Sequence, residues 1–133
     1  MSIPVDKAMQ MVRTAHATAG PVDLAVTAVV VDEGGRLVAL GRMDGARPIT
    51  VDMAMNKAYT AASFQQSTDE LKGVAGQPWF QSLIVSSNGR IMAGGGAIPI
   101  VENGVVVGAV AVAGGTDEQD QRCCEAALRS YST

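Results

Sequence analysis

Apolar positions recur at two periods along this chain, and the switches between those periods predict its elements. Val5, Met9, Val12, His16 and Ala19 follow spacings of four, three, four and three, which is one helical face with His16 on it. Ser2 is placed to cap that helix, Pro4 sits in its first turn, and Gly20-Pro21 ends it. Leu24 to Asp32 is a β-branched apolar run, long enough for a central strand buried on both faces. Glu33-Gly34-Gly35 turns the chain into a second strand from Arg36 to Arg42, predicting a hairpin.

Beyond the loop Met43–Pro48, Thr50 is placed to cap a helix from Val51 to about Gln66. Its packing face is Val51, Ala54, Met55, Ala58 and Ala62. Ser67 and Glu70 form a capping-box pattern that opens a short helix ending near Gly73. After the break at Gly76-Gln77-Pro78, Ser82 to Ser86 reads as a short strand, and Ile91 to Ala93 as a continuation of the sheet. Ile98–Val101 and Val105–Val112 flank Asn103-Gly104, the strongest hairpin signal in the chain. A last helix runs from Asp117 to about Tyr131. The order predicts an α-β-α layered domain: a mainly antiparallel five-stranded sheet with helices on both faces.

Composition narrows the possibilities. At 133 residues the chain is one domain, 47% hydrophobic but 4% aromatic, so its core is Val, Ala, Ile, Leu and Met. Charged residues make up only 17%, which predicts that other subunits cover part of the surface. The net charge of −3 and the absence of a Lys/Arg cluster argue against nucleic acid. No 18-residue apolar run predicts a membrane span, and the first residues lack signal-peptide character, so a cytoplasmic location is expected. Cys123 and Cys124 are adjacent, which disfavours a disulfide, and one His with two adjacent Cys makes a poor zinc set.

The candidate chemistry lies at two glycine bends. Val107 to Asp120 reads as a buried strand running through Gly114-Gly115 into a helix, with Thr116 as N-cap and Gln119 closing a capping box. Such a junction offers backbone N–H groups to an anion at the positive end of a helix. Gly94-Gly95-Gly96 lies about twenty residues earlier. No G-x-G-x-x-G or Walker-type pattern occurs, so a nucleotide cofactor is not indicated. His16 is the only histidine and a candidate iron ligand. The alternative is a part-buried ring satisfied by backbone. Lys57, in an Ala-rich helix, is a candidate cation or base for a carboxylate, or else a solvated charge or an ion-pair partner of Asp44. Arg42 and Asp44 flank a glycine-containing loop, either to hold a carboxylate or to pair with each other. Asp120, one turn into the last helix, either favours the dipole or serves as an acid or base near Lys57.

Five segments in order carry a family resemblance. They are Arg42–Ala46, Asn56–Ala62, Gly94–Ile100, Gly104–Ala109, and Gly114-Gly115-Thr116 with Asp120. Together they resemble the GlcG/HbpS family of heme-binding-like proteins, which includes a domain attached to some corrinoid adenosyltransferases. The resemblance implies an antiparallel five-stranded sheet and assembly into tetramers or octamers. It also implies heme in some members, often at subunit contacts, and small hydroxy-acid or ring-cleavage pathways for others. His16 is placed like an axial histidine of one heme-binding branch. One departure stands out: the family's Gly-Val-Ser-Gly is Ala111-Val112-Ala113-Gly114 here, which loses a hydroxyl beside the bend.

Two functions are therefore expected. In the first, a small homo-oligomer binds heme or another small anion, with Arg42, Asp44, Lys57 and the bends Gly95-Gly96 and Gly114-Gly115-Thr116 holding its acidic groups and His16 meeting iron. In the second, an enzyme without a cofactor acts on a small carboxylate. Arg42 would anchor it, Lys57 or Asp120 would move the proton, and glycine-turn amides would stabilise an oxyanion.

Overall fold

The computed structural model describes residues 3–132; Ser2, the expected cap of the first helix, lies outside them. Helix α1 is Val5–Ala19, followed by the antiparallel strands β1 (Thr27–Asp32) and β2 (Leu37–Arg42). Helix α2 is Ile49–Phe64, and a short 3-10 turn at Glu70–Gly73 leads to α3 (Pro78–Ser86). Strands β3 (Ala97–Glu102) and β4 (Val105–Ala113) form the second hairpin, and α4 is Asp117–Ser132. The sheet has the order β2-β1-β4-β3, all neighbours antiparallel.

The inner strands bury alternate residues on opposite faces, which is the period-2 geometry of a pleated strand. Ala28 and Val30 of β1, with Val110 and Val112 of β4, pack under α1 and α4. Val29 and Val31, with Ala109, Ala111 and Ala113, pack under α2. The second face is mostly alanine, so α2 approaches closely through Ala54, Ala58, Ala61 and Ala62. Gly108 permits a similar approach inside the sheet, because a Cβ there would lie 2.2 Å from Val31 O. At the second hairpin Asn103 and Gly104 take φ values of 50° and 77°, the paired left-handed conformation of a tight two-residue turn.

Four strands form among the described residues, not the five expected. Ser82–Ser86 belongs to α3. Pro78 starts that helix at a position where its missing N–H is not needed, and Phe80 stacks on Phe64 with ring centroids 5.8 Å apart. The run Leu83-Ile84-Val85 was too short to distinguish strand from helix by periodicity. Ile91–Ala93 is irregular, and its neighbour Gly94 donates its N–H to Thr68 O instead of a strand.

Two helix details also differ. The buried face of α1 is Ala8, Met11, Val12, Ala15 and Ala19, while Val5 and Met9 are exposed at 54% and 46%. The small residues Ala8 and Ala15 let α1 pack tightly into the layer it shares with α4, which rotates Val5 and Met9 outward. Thr50 does not cap α2: Pro48 precedes the helix, and the Thr50 hydroxyl donates to Arg47 O while accepting from Thr27 Oγ1.

Candidate functional site

The two glycine bends meet, and Lys57 stands between them. Its stem crosses from α2 to the end of the sheet, where the side chain is 3% exposed. The ammonium donates to Gly95 O at 3.0 Å, Val112 O at 2.7 Å and Asp120 Oδ2 at 3.4 Å. An ammonium has three protons, so these contacts use its whole donor capacity. Asp120, equally buried, accepts the Gly115 N–H on Oδ1 at 2.8 Å. The lysine therefore ties α2, the Gly94–Gly96 bend, β4 and α4 to one point.

The Gly94, Gly96, Gly115 and Thr116 amides at these bends also point to partners within the chain. Gly96 N–H donates to Gln121 Oε1 at 2.9 Å, and Val112 N–H donates to Gly96 O at 2.7 Å. Thr116 and Gln119 form the expected reciprocal capping box, at 3.0 and 3.2 Å. At Gly96 φ is +116°, and a Cβ would lie 2.6 Å from Val112 O and 2.7 Å from Lys57 Nζ, so the cradle needs glycine there. Gly114 is equally constrained: a Cβ would sit 2.6 Å from Ala25 O.

Burial raises the Asp120 carboxyl above its ordinary value, against the opposing pull of Lys57 and of the Gly115 and Gly114 amides. Desolvation outweighs attraction because the pair has little water and the lysine divides its charge among three acceptors.

Arg42 ends β2 opposite Thr27, whose hydroxyl bonds to Thr50 of α2, so Arg42 belongs to the α2 face. Its Nε donates to Ala46 O at 3.0 Å, and among the described residues it makes no ion pair with Asp44.

His16 occupies the other face of the sheet. Its Nε2 lies 2.9 Å from Gly41 O. A carbonyl only accepts, so Nε2 carries a proton here, and whenever the ring is neutral Nδ1 holds the lone pair. Gly41 makes room for this arrangement, since a Cβ there would lie 2.6 Å from Val12 and 2.8 Å from His16 Cε1. The ring lines a recess of about 160 Å³ with Met9, Val12, Arg13, Ala39 and Leu40.

Both cysteines are free and buried. Burial pushes each thiol up, and Cys124 Sγ donates to Val110 O at 3.1 Å. Among the described residues no group of three or more His, Cys, Asp or Glu is placed to hold a metal ion. No described helix is long and apolar enough to cross a membrane. A feature not singled out from the sequence is a cleft between α2 and α3, where the Arg90 guanidinium lies 4.2 Å from the Tyr59 ring centroid. The turn Ser87-Asn88-Gly89 was its only signal.

These features define a small α+β domain with two helical layers joined through a buried lysine at the end of an antiparallel sheet. The chain belongs to the HbpS-like family: the family described as haem degrading protein HbpS-like matches residues 3–129. It is 38% identical over 133 residues to an uncharacterized 15.0 kDa protein in the dhaT-dhaS intergenic region of Citrobacter freundii, covering 98% of this chain and 93% of that one. It resembles the crystal structure of Klebsiella pneumoniae protein ORFY with a TM-score of 0.91 at 38% identity, covering 98% and 91% of the two chains. A PduOC–heme complex matches with a TM-score of 0.89 at 26% identity, covering 98% and 95%.

Proposed function

We propose that this protein binds heme on the face formed by α1 and β2, with His16 as an axial ligand. The carrying observation is the hydrogen bond from His16 Nε2 to Gly41 O. Histidines that ligate metals commonly donate their other ring N–H to a backbone carbonyl, which fixes the tautomer and orients the lone pair. His16 is already held in that state, with Nδ1 available. The similarity to a PduOC–heme complex supports heme as the ligand.

The surroundings suit an apolar macrocycle with acidic edges. Met9, Val12 and Ala39 give the recess apolar walls, and Arg13 supplies a cation for a propionate. A recess of about 160 Å³ is small beside the roughly 300–1,000 Å³ typical of ligand pockets. One subunit therefore supplies one wall, and a second copy supplies the other. Exposed Val5 and Met9 along α1 are suited to that contact. When bound, heme would supply redox-active iron; this chain would hold, orient and shield it.

In the same proposal Lys57 and Asp120 are positioning residues. With three internal acceptors already bonded, Lys57 has no donor left for a substrate. This favours heme binding over cofactor-free proton transfer.

Hemin titrated into the purified protein, followed in the Soret region, tests the proposal. A band that saturates at a fixed ratio to subunits is expected, together with a change in oligomer size by light scattering if heme is sandwiched. A featureless titration contradicts it.

A further inference from the structure

We propose that the cleft between α2 and α3 binds a small aromatic monocarboxylate, with its ring against Phe64 and Leu83 and its carboxylate on Arg90. The cleft measures about 380 Å³, within the usual range for a small-molecule site. Tyr59, Phe64, Leu83 and Ile91 supply apolar walls, which suit a planar apolar body. Arg90 is the only charged residue among the lining residues, so the cleft carries one cation and no opposing carboxylate. A neutral ligand would forfeit that cation, and a dianion would exceed it.

Arg90 is prepared for this role. Its guanidinium stacks over the Tyr59 ring at 4.2 Å, and its Nε donates to Ser87 O at 3.0 Å. Among the described residues no other group takes its Nη atoms, which form the edge that meets a carboxylate in a two-point contact. The backbone beneath it is fixed. Buried Thr60 shares its hydroxyl proton between Asn56 O and Arg90 O and accepts the Met92 N–H at 2.9 Å. Gly89 N–H closes the turn onto Ile84 O at 2.7 Å. A cation on such a segment loses little freedom when a ligand arrives. Ser63 lies on the same wall.

This cleft lies on the α2 side of the sheet, whereas His16 lies on the α1 side, so the proposal does not rest on heme. Trp79, the only tryptophan, stands edge-on to Phe64 at 6.4 Å between ring centroids, and its emission reports on the cleft. Titration with benzoate and with its neutral isostere benzamide is the test, read by Trp79 fluorescence and by saturation-transfer NMR. Benzoate should saturate the signal and bind at least about tenfold more tightly than benzamide, as expected for a charge-assisted contact. Arg90→Gln should abolish the preference, Leu83→Asp at the exposed rim should weaken benzoate, and His16→Gly should leave it unchanged. The proposal is overturned if neither method detects saturable benzoate binding, if benzoate and benzamide bind equally, or if Arg90→Gln binds benzoate like the native chain.

Discussion

Lys57 Nζ lies 3.4 Å from Asp120 Oδ2, with both side chains almost wholly removed from solvent. The pair joins helices on opposite faces of the sheet. It works as a strut because its remaining bonds go to backbone: two carbonyls for the lysine and one glycine amide for the aspartate. Removing one partner leaves an uncompensated charge. Lys57→Met should therefore cost about 3–5 kcal/mol of stability. Asp120→Asn, which keeps an acceptor for Gly115, should cost less. Lys57→Met combined with Asp120→Asn should lose less than the two single changes added together, because the charge left stranded by the first is removed by the second. Urea denaturation of the four proteins measures this; strict additivity would show that the two groups do not act as a pair.

The same pair sets a pH dependence. Burial raises the folded-state Asp120 carboxyl above its ordinary value of 3.8, so the folded protein holds that proton more tightly than the unfolded chain. The contribution of this group is most favourable below 3.8 and falls as pH rises through the folded value. Compared with Asp120→Asn, the native protein should gain stability as pH is lowered from neutral toward about 4. Thermal melts of both proteins across that range give the difference. A native protein that loses ground to the variant on acidification would contradict the assigned direction.

Glycine substitutions should divide by what a Cβ would meet. At Gly96 the added carbon strikes Val112 O and Lys57 Nζ, in a left-handed backbone region. Gly96→Ala should cost about 2–4 kcal/mol, from strain and overpacking together. At Gly73 nothing lies within 4 Å and the backbone is ordinary, so Gly73→Ala should stay within about 0.5 kcal/mol. Equal melting temperatures for the two variants would refute the cradle at Gly96.

Both thiols should be inert in the folded state. They are buried, burial raises them, and Cys124 already donates to Val110 O. Thiol reagent at mildly alkaline pH should modify neither cysteine until denaturant is added. Rapid modification of the native protein would show that this part of α4 opens.

Much of this was legible along the chain where local chemistry decides the outcome. Asn103-Gly104 marks its own turn, and Thr116 with Gln119 caps α4 as the spacing implied. The convergence of the two glycine bends with Lys57 was also legible as a neighbourhood. The direction of their polar groups was not. Whether an ammonium meets solvent or carbonyls depends on how closely Ala54, Ala58 and Ala61 bring α2 onto the alanine face of the sheet. Leu83-Ile84-Val85 misled because a three-residue apolar run has no period, and stacking on Phe64 decides its helix. Arg90 escaped notice because its partner Tyr59 is remote in sequence and joined only through Thr60.

Heme ligation by His16 is most directly tested by chemical rescue. His16→Gly should remove the axial imidazole with little effect on the fold, because the ring is only part-buried. The native protein with ferric heme should give the optical and electron paramagnetic resonance signature of an imidazole-ligated iron. His16→Gly should lose it, and added free imidazole should restore it. A His16→Gly complex with the native spectrum, unchanged by imidazole, would show that the iron lies elsewhere.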